Sequence, residues 1–283
     1  LILLLSSKTI SESWVLDAAT PQGEFRCLAP REDDHEYDVD HGQLDGQWAW
    51  LIRSNQSGIN FALYAASEAQ PERQHWRELI AHDPQVMLEG LSLNADAYVL
   101  SLREAGLPII QVHPHGLPSY RVQLPDAAYS LSVQDTLEFA SPLIRLRYEA
   151  LNRPAQIRQL ELASGAQQVL KETPVLGPFD ADAYVSQRLW ATAPDGTQVP
   201  ISLVARRDRL GSPAPLYLYG YGAYGIVTSA DGDSSIDNSG TIYVYSGGVA
   251  NGATALSFAG DASVTNSGDI GVYSAAGLYY AGT

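Results

Sequence analysis

Cysteine and methionine are almost absent: Cys27 and Met87 stand alone in the chain. A lone thiol cannot close an internal disulfide, so no disulfide framework holds the fold, and its scarcity leans toward a reducing compartment. No apolar run is long enough to span a bilayer as a helix; Leu1-Ile2-Leu3-Leu4-Leu5 is far too short and lacks the basic start of a secretory leader. The chain does not begin with Met but inside that apolar run, which reads as a strand cut from something longer. Basic charge is also scarce. A net charge of −15 over 283 residues argues against a polyphosphate-binding surface, so no nucleic-acid partner is expected, and basic peptides are a compatible class. The sharpest absence is local. Residues 226–283 contain no Lys, Arg, Glu, His or Pro and consist mostly of Gly, Ala, Ser, Asn, Asp, Tyr and Val.

What the first half does contain is a repeat of strands. Four hairpin-like units recur: Trp14–Leu28 turning at Pro21-Gln22-Gly23, Phe61–Leu79 turning at Glu72-Arg73, Ile110–Val122 turning at His115-Gly116, and Ile157–Leu170 turning at Ser164-Gly165. Anchored on Leu16, Leu63, Val112 and Leu160, the spacings are 47, 49 and 48. Between the units lie alternating runs at Ala49–Ile52, Tyr98–Ser101 and Ile144–Tyr148. A period near 48 with about four short strands per repeat predicts β-propeller blades, where a sandwich would not keep so even a spacing. Four recurrences predict about four blades, the first one incomplete.

The forty residues that follow keep punctuating like strands, then reach Tyr217-Leu218-Tyr219-Gly220-Tyr221-Gly222-Ala223-Tyr224-Gly225. Here an apolar strand opens into a glycine-rich aromatic turn, a place where backbone can approach a ligand closely. Gly220, Tyr221, Gly222 and Tyr224 are therefore the candidate site residues.

These blocks resemble a known family. Ser7-Lys8-Thr9, Ser11-Glu12, Leu16-Asp17, His35–His41, Arg53-Ser54-Asn55, Asn60–Tyr64, Val86–Gly90, Ala191–Gly196, Val199–Val204 and Leu218–Gly225 follow one another in order. Over residues 1–225 the string is similar to the oligopeptidase B branch of the prolyl oligopeptidase family of serine peptidases. The resemblance implies a propeller covering an α/β-hydrolase domain, with hydrolysis of short peptides after Arg or Lys and the propeller restricting access. It implies later blades over 1–183 and the start of the hydrolase domain over 184–225. The first hydrolase strands would be 188–192 and 199–204, paired through a turn at Pro194-Asp195-Gly196, with a third at 215–219. In the family the tyrosine matching Tyr221 donates its hydroxyl to the oxyanion, work suited to a phenol held on a glycine turn. The resemblance implies a cytoplasmic home, with the periplasm as the alternative, and no cofactor.

The catalytic triad is not in the sequence. No serine has glycine at both −2 and +2, so the nucleophile elbow is missing, and the chain is expected to be inactive by itself. His35, Asp38, Asp40 and His41 invite a metal reading, but two His six apart on an extended strand stand about 20 Å from one another and do not converge, and no metal site is expected.

Residues 226–283 carry their own repeat. Ile236–Ser246 recurs as Val264–Ser274 at an offset of 28, and Leu256–Gly260 recurs as Leu278–Gly282 at an offset of 22. Short strands with Asn-Ser-Gly corners predict parallel β-solenoid coils resembling the passenger repeats of bacterial autotransporters and adhesins; a disordered tail is the rival. The tail alone would place the protein at a cell surface as an interaction module. The abrupt change inside a motif also fits a chimeric or mis-joined reading frame. The fold class expected is therefore all-β: a partial propeller, the first strands of an α/β-hydrolase domain, and a short solenoid-like or disordered tail, with unpaired sheet edges able to self-associate.

Overall fold

The computed structural model describes residues 1–134 and 138–211 and, beyond them, strand segments lying between 224 and 279. Two compact units divide it, Leu1–Ala205 and Arg206–Thr283.

In the first unit four antiparallel meanders follow in chain order. The first sheet is β1 (Ile2–Ser6), β2 (Ser11–Val15) and β3 (Arg26–Cys27); the second is β4 (Tyr37–Leu44), β5 (Gln47–Ser54), β6 (Ala62–Ser67) and β7 (Arg77–Ile80). The third is β8 (Val86–Leu93), β9 (Ala97–Glu104), β10 (Leu107–Pro114) and β11 (Tyr120–Arg121); the fourth is β12 (Tyr129–Gln134), β13 (Leu143–Ala150), β14 (Arg153–Glu161) and β15 (Gln167–Glu172). Leu63, Val112 and Leu160 each fall on the third strand of their sheet, and Leu16 directly follows β2. The 48-residue period is therefore a blade period, and β1–β3 correspond to the second, third and fourth strands of the other sheets. Among the described residues the only helices are three-residue 3-10 turns.

The apolar cores lie between sheets rather than within them. Period-two alternation sends successive side chains of one strand to opposite faces. On β5, Ala49 and Leu51 pack with Leu88, Leu100 and Leu102 of the third sheet, while Ile52 packs with Val15, Leu28 and Tyr37 on the other side. On β9, Leu100 and Leu102 face the second sheet, and Ala97 and Val99 face Ile144, Leu146 and Leu160 of the fourth. Each fully buried side chain of this kind contributes about 1.5–3 kcal/mol. On β13 the alternation has one apolar side only: Ile144, Leu146 and Tyr148 are buried, and Arg145 and Arg147 are exposed.

Polar joints fix the sheets to one another. The Tyr37 hydroxyl donates to Ala29 O at 2.7 Å and accepts from Ser13 N at 2.7 Å and Ala29 N at 3.1 Å. These bonds tie the second sheet to the first while satisfying a buried phenol. Before the fourth sheet, the Asp126 carboxylate accepts from Tyr148 Oη, from Asn152 Nδ2 at 3.0 Å and from Arg153 Nε at 2.9 Å.

Tight turns close the second-to-third strand connection of the third sheet and the first-to-second connection of the second. Asp45 and Gly46 have φ of 52° and 77°, and Ala105 and Gly106 have φ of 49° and 77°. Two successive left-handed residues are what a two-residue hairpin loop requires.

β16 (Tyr184–Thr192) and β17 (Gln198–Arg206) form a two-stranded sheet at the end of the first unit. Its turn lies at Asp195-Gly196, as the Pro-Asp-Gly sequence predicts. Thr197 N donates to Asp195 Oδ1 at 2.9 Å, Gly196 N to Ala193 O at 2.9 Å, and Gly196 has φ of 86°.

The second unit is built on parallel pairs. β18 (Tyr224–Ser229) pairs with β21 (Thr254–Ala259), β19 (Ser234–Asn238) with β22 (Ala262–Asn266), and β20 (Ile242–Ser246) with β23 (Ile270–Ser274). Ile236 sits opposite Val264, Asn238 opposite Asn266 and Ile242 opposite Ile270, so the 28-residue repeat is the register of two stacked coils. The 22-residue offset does not give a third coil. β24 (Gly277–Tyr279) turns back antiparallel on β23, with Tyr273 opposite Leu278. Only two residues separate β23 from β24, enough for a hairpin and too few to carry a strand round to a parallel position.

Candidate functional site

Of the residues singled out in the sequence, Gly220, Tyr221 and Gly222 lie outside the described residues, as does the third hydrolase strand expected at 215–219. Tyr224 is the first residue of β18.

The site that the structure does describe is a cleft at the foot of the β16–β17 hairpin. Arg188, in the middle of β16, reaches back to the β9–β10 turn. Its Nη2 donates to Ala105 O at 2.8 Å, and its Nη1 donates across the hairpin to Ser202 Oγ at 2.8 Å. The turn accepts this approach because Gly106 has no side chain: a Cβ there would come within 2.7 Å of Arg188 Nη2 and 3.4 Å of Pro200 Cγ. The cleft has a volume of about 450 Å³, and Tyr129–Ser132 of β12 form one wall. Arg103, also in the lining, is held by Glu89 through contacts of 2.6 and 3.3 Å.

The histidines and aspartates weighed for a metal go to separate places. His35 precedes β4, buried against Tyr37 at 5.2 Å, with Nε2 3.0 Å from Ser54 Oγ. Burial lowers its pKa, the Arg73 cation adds to the effect, and the Glu32 carboxylate opposes it. Asp38 pairs with Arg53 at 2.7 Å. Asp40 is pushed up by burial. His41 Nε2 lies 2.8 Å from Glu68 Oε1, and its ring stacks on Trp48. Among the described residues no group of three or more metal-ligating side chains converges.

Sequence reasoning missed both the Arg188 contact and the Asp126 joint. Burial raises the Asp126 pKa, but the bonds from Arg153, Tyr148 and Asn152 outweigh it and hold the carboxyl below the usual range. Burial, and then the Asp126 carboxylate, raise the Tyr148 phenol far above its ordinary value. The Ala105-Gly106 dipeptide was the one local signal, since a two-residue loop there presents a backbone carbonyl outward.

Comparison with known proteins places these features. The sequence profile for the prolyl oligopeptidase N-terminal beta-propeller domain matches residues 1–173. Dipeptidyl aminopeptidase BI of Pseudoxanthomonas mexicana is 35% identical over 237 residues, which are 83% of this chain and 32% of that protein. Protease 2 of Moraxella lacunata is 29% identical over 78% of this chain and 31% of its own length. The solved structure of oligopeptidase B from Trypanosoma brucei, closed with covalently bound antipain, superposes with a TM-score of 0.68 at 29% identity. That match covers 78% of this chain and 32% of the trypanosomal one. The chain spans about a third of the length of these relatives.

Proposed function

The chain belongs to the prolyl oligopeptidase family, and from that premise we propose that it is the propeller-bearing piece of a serine oligopeptidase. In this reading the four stacked sheets cover a hydrolase domain that begins with β16 and β17, and they restrict which peptides reach it. The observation that carries the reading is the union of the two parts: blade-like sheets at a 48-residue period continue into a hairpin anchored on the third sheet through Arg188 and Ala105.

The substrate of the whole protein, in this reading, is a short peptide cut after Arg or Lys, handled in the cytoplasm or periplasm. Release of dipeptides, the activity in the name of the Pseudoxanthomonas relative, is the rival specificity. Tyr221 is the oxyanion donor of the complete enzyme. The 283-residue chain has no Gly-x-Ser-x-Gly elbow and hydrolyses neither substrate. A fluorogenic dibasic peptide and an alanyl-alanyl coumarin, each assayed with and without a serine-directed phosphonate, test this. Phosphonate-sensitive turnover by rigorously pure chain would sink it.

The parallel register of the second unit favours a second reading, a surface interaction module carrying solenoid coils. Sequencing outward from both ends of the source locus separates the two. A nucleophile elbow downstream supports the peptidase, and further Asn-Ser-Gly repeats support the module.

A further inference from the structure

Among the described residues Arg188 has no carboxylate partner; its guanidinium lies 5.8 Å from the centre of the Trp190 ring. Its two described hydrogen bonds go to neutral acceptors, Ala105 O and Ser202 Oγ, and its Nε is buried without a partner. The nearby carboxylates are engaged elsewhere: Glu89 with Arg103 at 2.6 Å and Glu104 with Arg121 at 2.6 Å. The lining of the concave site also holds the Arg103–Glu89 ion pair, whose charges offset, so Arg188 is the lining charge left without a counter-ion among the described residues and is set to receive an anion. The cleft is of ligand size at about 450 Å³, and Ser101, Ser130, Ser132 and Ser202 are among the residues that line it.

Its second property is an open strand edge. β12 is the outermost strand of the fourth sheet and pairs only with β13. Tyr129–Ser132 of that strand form the cleft wall, and among the described residues they make no backbone hydrogen bond outside the ladder to β13. A sheet edge with free N–H and C=O groups accepts one further extended strand, with main-chain bonds supplying affinity.

We propose that this cleft binds the C-terminal end of a short extended peptide, its backbone laid along β12 and its terminal carboxylate on Arg188. A carboxylate meets a guanidinium fork through two parallel bonds, which an amide cannot reproduce. The proposal goes beyond the peptidase reading and stands whether or not the complete protein cleaves peptides, because binding reads it and turnover does not.

The test titrates the 283-residue chain by calorimetry with acetyl-trialanine bearing a free carboxylate, its C-terminal amide, its backbone N-methylated form, and sodium acetate. The free acid binds about tenfold or more tightly than each of the other three. Arg188→Gln loses about tenfold in affinity for the acid and little for the amide. Gly106→Ala weakens the acid as well, because the added Cβ displaces the guanidinium. Equal binding of acid and amide overturns the carboxylate contact. Acetate or the N-methylated peptide binding as well as the acid overturns the strand-addition half. Failure of the acid to bind overturns the proposal, and the peptide comparisons on the unaltered chain keep it falsifiable if a variant does not fold.

Discussion

Strands β9 and β13 and the hairpin β16–β17 are written in the same alternating code, yet they end in different environments. Val99 is 0% exposed, whereas Leu189 and Trp190 are 43% and 48% exposed. Both regions satisfy their backbones by strand pairing. The blade strands have a sheet against an apolar face, and the hairpin is fastened at Arg188 and Ser202 with most of β17 in solvent. Alternation therefore specifies a strand and its faces; it does not specify the cover. Stability in this chain should follow cover rather than pattern.

The widest gap is expected between core deletions in the two regions. Leu146→Ala removes a fully buried side chain from the joint between the third and fourth sheets and costs about 3 kcal/mol, whereas Val204→Ala on the exposed hairpin costs about 0.5 kcal/mol. Urea denaturation of both variants measures the difference, and equal costs would break the comparison.

Polar joints come next. Asp126→Asn weakens three bonds at once and should cost about 2 kcal/mol. The same group gives a pH signature. Its folded pKa lies below the unfolded value, so its stabilisation is complete above about pH 4 and is lost as pH falls through the folded pKa. His35 is also depressed, so its contribution is complete above the unfolded histidine value of about 6.5 and is lost as pH falls from there toward the folded pKa. Two losses on acidification are expected, the first removed by His35→Gln. Melting temperatures from about pH 7.5 down to about pH 2 would reveal a single step if His35 were not held neutral by its surroundings.

Two glycines with similar backbones sharpen the contrast further. Gly196, at φ 86°, has nothing within 4 Å of an added Cβ, so Gly196→Ala costs only backbone strain of about 1 kcal/mol. Gly106→Ala, at φ 77°, adds the collision with Arg188 and should cost more. The smallest effect is kinetic: amide exchange across 189–204 should be faster than across 98–102 and 144–148, by hydrogen-exchange mass spectrometry.

The blade spacing was readable because each repeat spends the same number of residues on four strands and their turns, which leaves Leu63, Val112 and Leu160 in equivalent places. The solenoid register was readable because identical corners recur at a fixed offset. Contacts made across long stretches of chain were not. Arg188 and Ala105 are 83 residues apart, and the Ala105-Gly106 turn marks an outward carbonyl without marking its donor. Asp126 sits in a connection whose partners, Asn152 and Arg153, arrive from a later turn. The turn expected at His115-Gly116 begins where β10 ends, with Pro114 its last residue, opposite Ala97. Tyr221 and its glycines fall outside the described residues, so the oxyanion reading rests on the sequence motif.

Stacked sheets behave like a short polymer whose monomer is the blade, and such a polymer lengthens only through an apolar face. Arg145 and Arg147 on β13 act as a chain terminator: a sheet laid there would have to strip water from two guanidinium groups. The opposite end carries no such stop, since Ile2, Leu3 and Leu4 of β1 are exposed on a strand whose outer edge has no neighbour in its sheet. The two faces of the stack therefore differ in chemistry, one presenting guanidinium groups and the other isoleucine and leucine side chains.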